Sequence, residues 1–147
     1  MLKDIKEKIY HSPEFRIISD NAGKSLFFTG IRGSLTGFIL SKLYDLNKKL
    51  VFCSNDQTKL FKLKDDLNLI IGAEKSSLYL GEFDEEFESD ITPLSSTLKT
   101  ISSEESYILL TSPAALDKNI LTEASFRKNI ISLDKDKEFS FDELVKK

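Results

Sequence analysis

Four residues carry the chemistry this chain could offer: Gly30, Arg32, Gly33 and Ser34, in the turn Gly30-Ile31-Arg32-Gly33-Ser34. Glycines let the backbone turn its N–H groups toward an anion, and a helix opening just after adds the positive end of its dipole. The turn stands between an apolar, β-favouring run, Leu26-Phe27-Phe28, and a segment in which Leu35, Phe38, Ile39, Leu43 and Leu46 recur at spacings of three and four. That spacing predicts one helix face on a core. Strand, glycine turn and helix is the layout of a phosphate loop, but the residues that make such a loop bind nucleotide are replaced. Where G-x-x-x-x-G-K-[ST] ends in glycine, lysine and a magnesium-binding hydroxyl, this chain has Leu35, Thr36 and Gly37. Two readings follow. The turn could hold an anion with help from Arg32, or the glycines serve only a tight strand-to-helix turn with Ser34 as N-cap.

Other reactive side chains form no constellation. His11 is the single histidine, which excludes a multi-histidine zinc site within the chain. Cys53 is the single cysteine, so no internal disulfide exists; it lies in an apolar run where a buried, inert thiol is expected. Ser112 follows a strand-like run but lacks the glycines of a nucleophile elbow. Glu82, Asp84, Glu85, Glu86, Glu88 and Asp90 crowd one stretch with Phe83 and Phe87 between them; their spacing departs from a calcium loop and fits a solvated acidic segment. No catalytic residue and no metal ligand is assigned.

The elements that must position the turn are those of an α/β domain. A chain of 147 residues with 40% hydrophobic and 31% charged residues suits one soluble core. The net charge is −3, and although Lys and Arg number 21 they form no block. No general signal for nucleic acid therefore arises. No apolar run approaches a bilayer span, and the lone cysteine suits a reducing compartment, so the cytoplasm is the expected location. Leu2, Ile5 and Ile9 predict a short helix stopping near Ser12-Pro13, and Phe15, Ile17 and Ile18 follow; residues 1–25 read as a lead-in covering part of the sheet or its edge. Leu50-Val51-Phe52-Cys53 reads as a strand buried on both faces. A helix then runs through Leu60, Leu63 and Leu67 to Gly72, with caps on offer at Ser54-Asn55-Asp56. Leu78-Tyr79-Leu80 and Tyr107-Ile108-Leu109-Leu110 read as further strands, with a two-turn helix through Leu94, Leu98 and Ile101 between them. The expected fold is a parallel sheet of about four strands with flanking helices over residues 26–128. Asn129-Ile130-Ile131-Ser132-Leu133 is strand-like, and Ser140 with Glu143 has capping-box spacing close to Lys147, so residues 129–147 read as the truncated start of a second module.

Phe28-Thr29-Gly30-Ile31-Arg32-Gly33-Ser34 resembles the G-x-x-G-S turn that opens the first module of transcription-repair coupling factors, which is itself similar to the amino-terminal module (domain 1a) of the UvrB excision-repair helicase. Leu50 to Asn55, Asp65-Asp66-Leu67, the Leu98 helix and Ile108 to Leu116 follow in the family's order. The chain departs from the family at its acidic stretch 82–90, and at Ser95 and Ser96, where an arginine is common. The resemblance implies a degenerate P-loop NTPase or helicase-like fold with no cofactor of its own. The parent protein would be an ATP-dependent DNA translocase whose ATP and Mg²⁺ lie in a later motor, with DNA, RNA polymerase, UvrA and the rest of its own chain as partners. The alternatives are a small phosphate- or nucleotide-binding hydrolase with an unusual loop, and a stand-alone protein-binding domain.

Overall fold

The computed structural model describes residues 2–21, 23–47, 49–81, 92–102, 106–118, 122, 124, 125 and 128. The acidic stretch 82–90, the capping-box pair Ser140 and Glu143, and the whole of 129–147 lie outside them. The described part is mixed α/β. Three parallel strands, β1 (Lys49–Cys53), β2 (Ser76–Tyr79) and β3 (Tyr107–Thr111), form one sheet in the order β1-β3-β2. Helices α1 (Leu2–Tyr10), α2 (Pro13–Asp20) and α3 (Leu35–Asn47) precede the sheet; α4 (Gln57–Ile71), α5 (Thr92–Ser102) and the short α6 (Pro113–Leu116) connect and follow its strands.

β3 is the central strand. Its register sets Leu109 between Val51 and Ser77, and Leu110 between Phe52 and Leu78. Parallel strands need long crossovers, and α4 supplies the one from β1 to β2. Leu60, Leu63 and Leu67, at helical spacing along α4, are buried together with Leu40 of α3 and with Ile108 and Leu110 of β3. Each such leucine contributes about 1.5–3 kcal/mol by leaving water. Asp56 starts α4 by accepting the backbone N–H of Lys59 at 2.9 Å, and Gly72 ends it with φ 102°. Beyond that end, Lys64 Nζ donates to Ala73 O, Ser76 O and Ser76 Oγ, which ties α4 to the start of β2, and burial lowers its pKa. α5 returns from β2 to β3. A right-handed return puts it on the face opposite α4, and Leu98 and Leu109 are buried outside the α4 cluster accordingly.

Several sequence expectations need correction. Leu26-Phe27-Phe28 forms no strand, which leaves three strands among the described residues where about four were expected; Phe27 is 93% exposed. A strand exists through its ladder, and no strand among the described residues pairs with this run. The residue 1–25 segment does not cover the sheet. Ser12 caps α2, with Pro13 in its first turn, and Phe15 and Ile18 of α2 pack with Ile39 of α3. Helix α3 is therefore wrapped rather than laid on one face: Ile39 and Leu43 meet the N-terminal helices, and Leu40 and Tyr44 meet the sheet. Gly37 meets α4. Leu35 and Leu46, expected inside, are exposed, and Lys42, which stands outside that apolar spacing, is half-buried with Nζ 5.1 Å from the Tyr10 ring centre. The β1 run is also not buried on both faces. Lys49, Val51 and Cys53 are exposed on the side that α5 does not reach, which leaves the Cys53 thiol open. The Leu98 helix has eleven residues rather than two turns.

Leu40→Ala should cost about 2–5 kcal/mol through lost burial and a cavity, and Leu46→Ala about 1 kcal/mol or less; chemical denaturation midpoints check the pair. Tyr10 makes a second test. Its hydroxyl donates to the buried Ser41, its ring stacks on Phe15 at 5.8 Å, and burial pushes its pKa up to about 12. Folding favours the neutral phenol, so this contribution is complete below pH 10 and is lost as pH rises toward 12. Denaturation of wild type and Tyr10→Phe across that range should show the steeper alkaline loss only in the wild type.

Candidate functional site

Between α3 and β1 the described chain leaves only residue 48, so the helix must run antiparallel to the strand it feeds. Its amino end therefore lies at the carboxyl edge of the sheet, where α4 also begins after β1. Here a groove of ≈ 550 Å³ opens between the two helices, lined by Gly33, Ser34, Thr36, Asp56, Lys59 and Asp66 among others. Gly30 and Gly33 take φ 72° and φ 55°, left-handed values that turn the chain into α3.

The turn is held by its contacts with α4. Ser34 Oγ donates to Asp66 Oδ1 at 3.1 Å, 32 residues away, and the Ser34 carbonyl accepts the N–H of Phe38 at 3.3 Å. The expected capping role of the Ser34 hydroxyl is thus replaced by a bond between helices. One turn further, Gly37 lets α3 approach α4 closely. A Cβ there would lie 3.1 Å from Ile70 Cδ1 and 3.2 Å from Asp66 Cβ.

The structure separates the four turn residues. Gly33 and Ser34 line the groove; Gly30 and Arg32 do not. Arg32 is exposed and stands outside the groove lining. In its place the groove carries Asp56, Asp65 and Asp66 against Lys59 and Lys62, three carboxylates to two ammonium groups. Lys59 leans over the Phe52 ring at 5.8 Å. A phosphate approaching Ser34 would meet the Asp66 carboxylate. That repulsion, without a lysine at position 36, is a poor setting for nucleotide phosphates. Among the described residues no three His, Cys, Asp or Glu side chains converge on a metal position. His11 stays at the surface, its Nδ1 2.7 Å from Glu7 O. Ser112 caps α6 by accepting the N–H of Ala115 at 3.1 Å, a structural task. No helix among the described residues is long and apolar enough to cross a membrane.

Sequence reasoning missed Asp66, Lys59 and Lys62 as groove residues. Only Asp66 left a signal. It falls three residues after Leu63 and four before Ile70, which places it on the side of α4 that meets Gly37. Nothing in one sequence says which helix that side meets.

A restored nucleotide loop, Leu35→Gly with Thr36→Lys and Gly37→Thr, should destabilise the protein. The branched side chain at 37 would force α3 away from α4, at about 1–3 kcal/mol, and Leu35→Gly adds roughly 1 kcal/mol in helix propensity. Thermal unfolding of Gly37→Thr alone, compared with Gly37→Ala, isolates the packing part; equal melting points would show that the approach of the two helices is not limiting.

No protein-family model matches the chain, and no curated protein and no solved structure does so either.

Proposed function

We propose that this chain is the amino-terminal, non-catalytic module of a transcription-repair coupling factor. Its parent is an ATP-dependent DNA translocase that displaces stalled RNA polymerase and brings in excision repair through UvrA. The UvrB-like, degenerate P-loop character of the domain belongs to this reading. ATP and Mg²⁺ are bound in the parent's motor, and this module contributes structure and contact surface to the rest of its own chain.

The observation that carries the reading is the Ser34–Asp66 hydrogen bond in the groove. The glycine turn sits at the amino end of a helix that starts from the carboxyl edge of a parallel sheet, where a nucleotide loop would sit. Its hydroxyl is given to a carboxylate, and the residues around it carry more negative than positive charge. A nucleotide scaffold without nucleotide chemistry is what the first module of a coupling factor resembles. The hydrolase alternative draws no comparable support, because position 36 holds threonine where a nucleotide loop has its lysine, and the carboxylates of the groove outnumber its ammonium groups.

Incubated with ATP and Mg²⁺, the purified chain should release no phosphate above a heat-inactivated control, and the three-residue loop restoration should remain without turnover. Turnover abolished by Gly33→Asp would overturn the reading in favour of the hydrolase. The open reading frame provides the positive test: an intact G-K-[ST] loop and an acidic metal-binding motif encoded downstream are expected.

A further inference from the structure

We propose that Leu26-Phe27-Phe28 is a strap that closes on the outer edge of β1 as a further parallel strand, carrying the Phe27 ring over Val51 and Cys53. The inference concerns the sheet and holds with or without the coupling-factor reading.

Both halves of this contact are unfinished in the open form of the chain. Among the described strands β1 has a ladder to β3 alone, on one of its two edges. On the face away from α4, Val51 is 58% exposed and Cys53 is exposed, whereas their register partners Leu109 and Thr111 are 7% and 0% exposed. The strap has strand composition without a ladder, and Phe27, at 93%, is the most exposed of the described large apolar side chains. One strand pairing would cover the open edge and the bare ring together.

The hand of the crossovers selects the edge. From β1 to β2 the chain steps across the sheet with α4 on the face of Ile108 and Leu110. α3 lies on that same face, since Leu40 belongs to the α4 cluster. Right-handed crossovers over one face must step in one direction. A strand that feeds β1 through α3 therefore lies on the side of β1 away from β3, which is its outer edge. Residues 29–34 join the strap to α3, a connection of the length usual between a strand and its helix.

The alternation of side chains selects the face. In a strand, positions 26 and 28 point to one side and position 27 to the other. Leu26 is half-buried and Phe28 is 38% exposed, so these two belong beneath α3, on the face of Leu50 and Phe52. Phe27 then falls on the opposite face, that of Val51 and Cys53. The bare ring meets the bare positions of β1 in every register that the alternation permits. The strap also has hinges. Gly23 and Gly30 bracket it with φ 85° and φ 72°, and each has open space where a Cβ would stand. Hinges at both ends let the segment swing while α2 and α3 stay packed.

Because Cys53 is the only cysteine, its alkylation by N-ethylmaleimide in the full-length chain reports closure. The thiol reacts from the open form, so Phe27→Ser should speed the reaction roughly threefold or more. Phe61→Ser, at an exposed phenylalanine of α4, should leave the rate unchanged. Equal rates for wild type and Phe27→Ser would overturn the proposal, and so would an equal gain in Phe61→Ser. A disulfide trap tests the geometry. Side chains level with each other on neighbouring strands come within reach of a bridge. Phe27→Cys should therefore oxidise within one chain, either with Cys53 or, in a Cys53→Ser background, with Val51→Cys. Leu26→Cys, on the other face, should close roughly ten-fold more slowly, because orientation governs the rate. No bridge from either Phe27→Cys variant, or equal trapping by Leu26→Cys, is the contrary result. Bridges between chains that vanish on dilution would give the edge to a second copy and overturn the proposal too. Should a variant lose its fold by circular dichroism, NMR of the wild type decides. A nuclear Overhauser contact between the Phe27 ring and the Val51 methyls is expected, and its absence rejects the closed form.

Discussion

The architecture depends on the parallel pairing of two short strands to a third. Among the described strands β3 alone is bonded on both edges, and four of its five residues are buried. Because parallel neighbours cannot be joined by a tight turn, each pairing brings a helix with it. The hand of the crossover then decides which face that helix covers. From this follow the placing of α4 and α5 on opposite faces, the shared starting edge of α3 and α4, and the groove between them.

The groove separates what a glycine turn supplies from what its neighbours supply. A glycine turn at a helix start gathers backbone N–H groups whatever the side chains are. Whether an anion binds depends on charge: a phosphate needs a cation within reach and no carboxylate at the same distance. Here Ser34 is bonded to Asp66, and Gly37 holds the two helices close enough for that bond. The bond joins α3 to α4 at the surface and has a structural value of about 1 kcal/mol. The burial of Leu40, Leu60 and Leu63 beneath it supplies far more.

The N-terminal helices form a second, smaller cluster on α3, away from the sheet. Tyr10 is its hub. It stacks on Phe15, bonds to Ser41 and lies under the ammonium groups of Lys6 and Lys42 at 5.2 and 5.1 Å. This explains why α3 shows no clean division into an inner and an outer face: a helix packed on three sides has apolar residues around most of its circumference.

The sequence by itself determined the local elements whose signals are local. Leu60, Leu63 and Leu67 with the Asp56 cap and Gly72 stop define α4, and Tyr107 to Leu110 defines β3, because periodicity, caps and apolar runs act within a few residues. It also determined that the glycine turn lacks the lysine of a nucleotide loop. The tertiary structure decided everything that depends on a neighbour. Leu26-Phe27-Phe28 has strand composition but no described strand beside it. Leu50 to Cys53 has the composition of a buried strand but occupies an edge, so Cys53 is exposed where burial was expected. Leu35 and Leu46 keep the helical spacing but face water, since helices approach α3 from directions that spacing cannot encode. Asp66 joined the groove because Gly37 brings α4 against α3; its spacing gives its side of α4, but not the helix 32 residues away that this side meets.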